Sequence, residues 1–217
     1  MTPRSSLLSP AMSAYVLAHS ESPDQVMAAL IAETAQLPEV NMQIGPDQAA
    51  FMTLLARSLN ARRAIEVGTF TGLSALAVAR ALPEDGSLLC LDINAEWTAI
   101  GRRYWELAGV SDRIELRIGP AGQTLAALPE EPTYDFAFVD ADKTGYAGYV
   151  AALHPRMQSN GLVLLDNMLR GGRVLGGAET SADDEAVIAL NDELVADSRW
   201  ETVLLPVADG LTLLRKR

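Results

Sequence analysis

Three oxygen-bearing side chains stand at the ends of two apolar runs: Asp140 follows Phe136 to Val139, and Asp166 and Asn167 follow Leu162 to Leu165. Hard oxygen donors suit Mg²⁺ first, with Ca²⁺ or Mn²⁺ as alternatives, and leave positions on the ion for water or substrate. The plainer reading is that Asp140 and Asp142 cap a following helix and that Asp166-Asn167 is turn chemistry. Lys143 stands beside them, either as a solvated or paired charge or as an amine that handles a proton. A phenol with a pKa of about 10 costs roughly 4 kcal/mol to ionise near neutrality. A divalent cation on its oxygen, with an amine nearby, offsets most of that.

A second group lies in the string Glu66-Val67-Gly68-Thr69-Phe70-Thr71-Gly72. Gly68 and Gly72 let the backbone turn tightly and approach a ligand at a helix N-terminus, although a glycine after a strand is often plain turn chemistry. The spacing G-x-x-x-G lacks the G-x-G-x-x-G that brings a helix against a pyrophosphate. Asp92, 24 residues after Gly68, ends the next apolar run, where a carboxylate can accept both hydroxyls of a ribose. Glu66 puts another anion beside the loop and favours a cationic ligand. S-adenosylmethionine has the ribose, the ammonium and the sulfonium that this set requires.

The elements that must position these groups alternate. Strands are expected at Ala64 to Val67, Leu88 to Leu91, Arg113 to Ile118, Phe136 to Val139 and Leu162 to Leu165. Between and after them lie helices at Leu73 to Leu82, Ala95 to Ala108, Gly122 to Leu128, Tyr146 to Met157 and Asp183 to Ala196. Five strands alternating with helices imply parallel pairing, because each return needs a crossover. Trp200 to Val207 and Leu211 to Leu214 read as two more strands, joined at an Asp209-Gly210 turn, so that an antiparallel strand closes the sheet. Ahead of the sheet, helices are expected at Ala11 to His19, Pro23 to Thr34 and from Pro46 to Arg62-Arg63. Residues 1–45 thus read as a helical addition to a domain at 46–217, one domain overall.

Composition limits the partners. The 217 residues carry 17 Lys and Arg against 28 Asp and Glu, a net charge of −11. That balance argues against nucleic acid and anionic membrane, since neutralising phosphate needs clustered cations. Cys90 is the single cysteine, so no intrachain disulfide or cysteine-based zinc cluster can form. With no apolar run long enough to span a bilayer and no leader pattern, a cytoplasmic location is expected.

Several strings are similar to the cation-dependent O-methyltransferases of the catechol and caffeoyl-CoA type. They are Met42-Gln43-Ile44, Ile65 to Leu76, Gly119-Pro120-Ala121, Phe138-Val139-Asp140-Ala141-Asp142-Lys143, Leu165-Asp166-Asn167 and Asp209 to Leu213. The resemblance implies an α/β, Rossmann-like sheet of seven strands in the order 3-2-1-4-5-7-6, mostly parallel, with helices on both faces. It implies a divalent cation on Asp140, Asp166 and Asn167, with Lys143 and Asp140 catalytic at the acceptor hydroxyl. It implies S-adenosylmethionine against Glu66, Gly68, Thr69, Phe70, Ser74, Asp92, Ala121 and Asp140, bordered by Met42 and Ile44. A small catechol-like acceptor and a homodimer follow from the same likeness. Arg170 departs from the pattern, standing where many relatives have an aromatic residue. With Arg173 it is either a solvated loop charge or a receiver for a carboxylate on the acceptor. A nicotinamide oxidoreductase and an inactive ligand-binding homodimer are the competing readings.

Overall fold

A computed structural model describes residues 7–177 and 180–217. Residues 1–6, on which the leader reading partly rests, and 178–179, at the end of the glycine-rich stretch after Arg170, lie outside the described residues. The helices are α1 (Pro10–Ala18), α2 (Gln25–Thr34), α3 (Pro46–Ser58), α4 (Leu73–Ala81), α5 (Ala95–Leu107), α6 (Ala121–Ala127), α7 (Tyr146–Leu153) and α8 (Ala182–Ala196). The strands are β1 (Arg63–Val67), β2 (Ser87–Asp92), β3 (Ile114–Ile118), β4 (Tyr134–Val139), β5 (Met157–Asp166), β6 (Trp200–Leu205) and β7 (Leu211–Lys216).

The strands form one sheet in the order 3-2-1-4-5-7-6, with β1 to β5 parallel and β7 antiparallel to both β5 and β6. Chain direction across the sheet reverses between β1 and β4, which opens a crevice beyond their carboxyl ends. Period-two alternation divides the core. Ala64, Leu88, Cys90, Phe136, Phe138, Leu162 and Leu164 pack with residues of α3, α4 and α5, and Leu30 of α2 joins them. Ile65, Val67, Leu89, Leu91, Ala137, Val139, Val163 and Leu165 pack with residues of α6, α7 and α8. Both faces are covered, so the central strands read as continuous apolar runs. Every residue of α4 from Leu73 to Ala79 is buried. Its small side chains let the helix sit close under the glycine loop that precedes it.

Boundaries differ from the sequence reading where local hydrogen bonds override periodicity. Helix α3 stops at Ser58, short of Arg62-Arg63, because Asn60 turns left-handed at φ 50°. The Asn60 and Ala61 N–H groups then donate back to the Arg57 and Ala56 carbonyls at 3.0 Å each, a Schellman closure. Helix α7 ends at Leu153, a 3₁₀ turn through Pro155 follows, and Met157 opens β5 instead of closing the helix. Strand β5 therefore begins five residues before Leu162. A register shift opposite Tyr134 and Phe136, with Asn160 at φ 68°, forms a bulge that admits the polar Gln158-Ser159-Asn160. Strand β6 ends at Leu205, and the turn closes through the Gly210 N–H on the Val207 carbonyl at 2.8 Å. Among the described residues no helix is long and apolar enough to cross a membrane.

Candidate active site

The chain leaves β1 at Val67 and turns through Gly68 at φ 87°, Phe70 at φ 50° and Gly72 at φ 80° before entering α4. Asp92, at the end of β2, holds this loop. Its Oδ2 accepts the Thr69 and Phe70 N–H groups at 2.8 Å each, and its Oδ1 accepts the Asn94 N–H at 2.7 Å. A carboxylate offers about four acceptor positions, so capacity remains for a ligand. Phe70, in a conformation costly for an L-residue, meets the edge of Trp97 at 5.2 Å between ring centres. From the N-terminal helices, the Thr34 hydroxyl donates to Thr71 Oγ1 at 2.9 Å, and Gln43 Nε2 donates to the same atom at 3.3 Å. The N-terminal segment is thereby tied to the loop.

Glu66 lies directly beneath, buried between Cys90 and Phe138 on the neighbouring strands. Neither of its carboxylate oxygens, nor Thr69 Oγ1, meets a hydrogen-bond partner. Burial pushes its pKa up from 4.5 to about 8, and the nearby Ser74 and Thr69 hydroxyls offset part of the rise without forming a full hydrogen bond. Because the folded value exceeds the unfolded one, folding favours the protonated form. The stability of the ligand-free protein therefore falls as pH rises from 4.5 through about 8. Each unit is worth about 1.4 kcal/mol. Glu66→Gln removes this dependence, so the gap in melting temperature between variant and wild type should widen steadily across that range. Thermal unfolding at successive pH values reads it, and parallel curves would contradict it.

Val139 and Leu165 are register partners on β4 and β5, so Asp140 and Asp166 follow at equal height on chains about 4.8 Å apart. Burial and the like charge of Asp140 push the Asp166 carboxyl up from 3.8 to about 7. Lys143, itself buried, donates to Asp140 Oδ1 at 3.0 Å and to Tyr146 Oη at 2.5 Å. Tyr146 is fully buried, and burial with the charges of Asp140 and Asp166 raises its pKa well above 10. Its one proton goes to the carbonyl of Val139 or Asp166, at 3.0 and 3.1 Å. Towards Lys143 the phenol oxygen can therefore only accept, and it fixes where the ammonium points. Asn167, at φ 59°, turns the chain out of the sheet immediately after Asp166. Among the described residues no three His, Cys, Asp or Glu side chains gather as a metal cluster. The candidate set is two carboxylates and an amide.

These groups share a cavity of about 820 Å³. Met42, Ile44, Gly68, Thr69, Phe70, Ser74, Asp92 and Ala121 line it, together with Asp140, Lys143, Asp166, Asn167, Arg170 and Arg173. Glu66 is the one expected site residue that does not line it. Within this frame lies the sequence match to the family described as O-methyltransferase, which covers residues 17–217. The chain belongs to the O-methyltransferase family. This S-adenosylmethionine-dependent methyltransferase is 38% identical to caffeoyl-CoA O-methyltransferase 5 of Nicotiana tabacum, over 98% of this chain and 94% of that one. It is 39% identical to the caffeoyl-CoA O-methyltransferase of Petroselinum crispum, over 98% and 93%. An SAH-bound methyltransferase of Podospora anserina superposes with a TM-score of 0.86 at 29% identity, covering 95% of this chain and 94% of that chain. An O-methyltransferase of Streptomyces achromogenes involved in tomaymycin synthesis, solved with SAM, gives 0.84 at 26%, covering 95% and 96%. The nicotinamide alternative falls with these matches.

Several residues of the methyltransferase's cavity escaped the sequence reading. Gln48 of α3, buried and close to the Asp166 carboxyl without a full hydrogen bond to it, lines it, as do the exposed Ile93 and the ring of Trp97. Tyr149 donates to Asp142 Oδ1 at 2.6 Å, so Asp142 pairs with a phenol and not with Lys143. Burial and that bond raise the Tyr149 pKa. A position after an acidic strand end could have marked Ile93 and Trp97. Nothing in the local pattern marks Gln48 or Tyr146, which read as ordinary helix residues.

Proposed function

We propose that the enzyme moves the methyl group of S-adenosylmethionine to one hydroxyl of a small vicinal-dihydroxy aromatic. It would use a divalent cation, Mg²⁺ by preference, on Asp140, Asp166 and Asn167. The observation that carries this reading is the Asp140–Asp166 pair, two carboxylates at equal height in the cavity that also contains the glycine loop. Burial and repulsion disfavour that pair when both are charged, and a hard cation bound between them offsets both. The unpartnered oxygens of Glu66, beneath the glycine loop, favour a cationic ligand in the same way. The ion, when bound, supplies charge that lowers the cost of ionising an acceptor hydroxyl.

The protein's own residues then have separable tasks. Lys143, as a neutral amine, takes the acceptor proton, and the ammonium that results is the one held by Asp140 and Tyr146. The loop from Gly68 to Gly72, Ser74, Ala121 and the free acceptor capacity of Asp92 hold the donor, with Met42, Phe70 and Ile44 enclosing it. The donor arrives activated, so in-line alignment and a stabilised phenolate are the chief contributions. Residues 1–45 act as a helical addition to the catalytic 46–217, and the assembly is a homodimer, for which the exposed Met12 and Tyr15 on α1 offer an apolar surface. Labelled methyl transfer to a catechol panel tests the reaction. Stripping with EDTA should cut transfer at least about 100-fold while leaving SAH affinity within about 3-fold. Full turnover in excess chelator would overturn the metal role.

A further inference from the structure

Arg170 and Arg173 are anchored charges, Arg170 mostly buried and Arg173 half-exposed. Their Nε atoms donate to opposite oxygens of one buried carboxylate, Arg170 to Asp184 Oδ1 at 2.9 Å and Arg173 to Oδ2 at 3.0 Å. Asp184 is itself fixed as the third residue of α8. Its Oδ2 accepts the Ser181 N–H and hydroxyl, and its own N–H donates to Ser181 Oγ in a capping box. Hydrogen bonds from Arg173, Ser181 and Arg170 hold its carboxyl well below the usual range. From the other side the β6–β7 turn clamps the same loop: the Leu169 N–H donates to the Asp209 carbonyl at 2.8 Å, and the Gly171 N–H to Asp209 Oδ1 at 2.6 Å.

Each guanidinium therefore spends one edge on its anchor. Arg170 and Arg173 share the buried Asp184, and Arg170 Nη2 also pairs with the half-exposed Asp183 at 3.8 Å, so the more open of the two guanidinium groups is that of Arg173. Both arginines line the cavity that holds Asp140, Asp166 and Asn167. Arg170 lies three positions after Asn167, so their Cα atoms are at most about 11 Å apart. That is the reach of an aromatic ring with a short acid side chain. The phosphates of a nucleotide thioester lie much further from the ring.

We infer that the acceptor carries a carboxylate on or near its dihydroxy ring, received by the outer edges of Arg170 and Arg173. The inference rests on the methyl-transfer reading above and narrows its substrate class. A bidentate, charge-assisted pair discriminates against a partner lacking the charge. The test compares 3,4-dihydroxycinnamic acid, its methyl ester and its coenzyme A thioester in wild type, Arg170→Gln and Arg173→Gln. For acid and ester it reads both kcat/KM and the dissociation constant with Mg²⁺ and SAH present. Wild type should prefer acid over ester by about 10- to 100-fold in both quantities. Either substitution should bring the ratio to within about 3-fold. The ratio does not respond to a general loss of activity, and Arg173, half-exposed, can be replaced with less disturbance of the loop than Arg170. Equal handling of acid and ester by wild type, a ratio unmoved by both substitutions, or a thioester preferred over the free acid would each overturn the inference. If none of the three compounds is methylated, the proposed dihydroxy-aromatic acceptor fails by itself, while the dissociation constants still decide the carboxylate site.

Discussion

Gly68→Ala is expected to abolish donor binding and to cost about 3–5 kcal/mol of stability. A Cβ on Gly68 would lie 1.9 Å from the Asp140 carbonyl oxygen and 2.6 Å from its carbon, and both are backbone atoms. Neither chain can retreat. The Gly68 N–H is bonded to the Leu91 carbonyl and the Asp140 N–H to the Val67 carbonyl, each at 2.8 Å. Relief must therefore pull β1 away from β4 at the crevice, displacing the glycine loop and Asp140 together. Gly109→Ala separates this clash from the cost of a positive φ. Gly109 has φ 66° with nothing within 4 Å of its built Cβ, so the change there should cost about 1–2 kcal/mol and leave SAH affinity alone. Chemical denaturation with SAH titration reads both effects. Equivalent behaviour of the two variants would show that the close approach at Gly68 does not matter.

Asp166→Ala should lower turnover by about 1,000-fold. If a cation offsets most of the roughly 4 kcal/mol needed to ionise a phenol near neutrality, losing that help costs three powers of ten. Replacing groups that merely orient metal ligands costs about 10- to 100-fold in affinity, so removing a ligand should weaken Mn²⁺ binding by at least that much. SAH affinity should change little, because Asp166 and the glycine loop approach the cavity from different strands. The metal-free variant should fold at least as well as wild type near pH 8. Wild-type Asp166, raised from 3.8 to about 7, loses stability over that interval through its burial and its repulsion by Asp140. A variant that is merely unfolded would lose SAH binding too, so the pair of titrations distinguishes a ligand from a structural residue.

The parallel sheet was legible because its central strands are buried on both faces and their apolar runs end abruptly in glycine or acid. Those endings also marked the site: Gly68, Asp92, Asp140 and Asp166 are strand termini, and strand termini are where such sheets bind ligands. Polar residues inside strands hid the first half of β5, since Gln158-Ser159-Asn160 reads as loop until the bulge opposite Tyr134 is seen. Contacts remote in sequence were equally hidden. Asp184 reads only as one residue of the expected helix from Asp183 to Ala196, yet it anchors Arg170 and Arg173 from 14 and 11 residues away. Asp209-Gly210 reads as hairpin chemistry, but Gly210 is needed because a Cβ there would meet Leu169 at 2.5 Å. Asp92 reads as a ribose acceptor, and its backbone partners at Thr69 and Phe70 show that it also shapes the loop it faces. Local pattern reports what a residue is. Only the closed fold reports what it is next to.

Anomalous diffraction from crystals grown with Mn²⁺, SAH and a dihydroxy aromatic acid tests the central claim most directly. The account predicts one Mn²⁺ peak within about 2.0–2.3 Å of a carboxylate oxygen of Asp140, one of Asp166 and the amide oxygen of Asn167, with both ring oxygens also bound and one position left for water. A peak elsewhere, or an ordered aromatic ring with no metal at those three side chains, would contradict it.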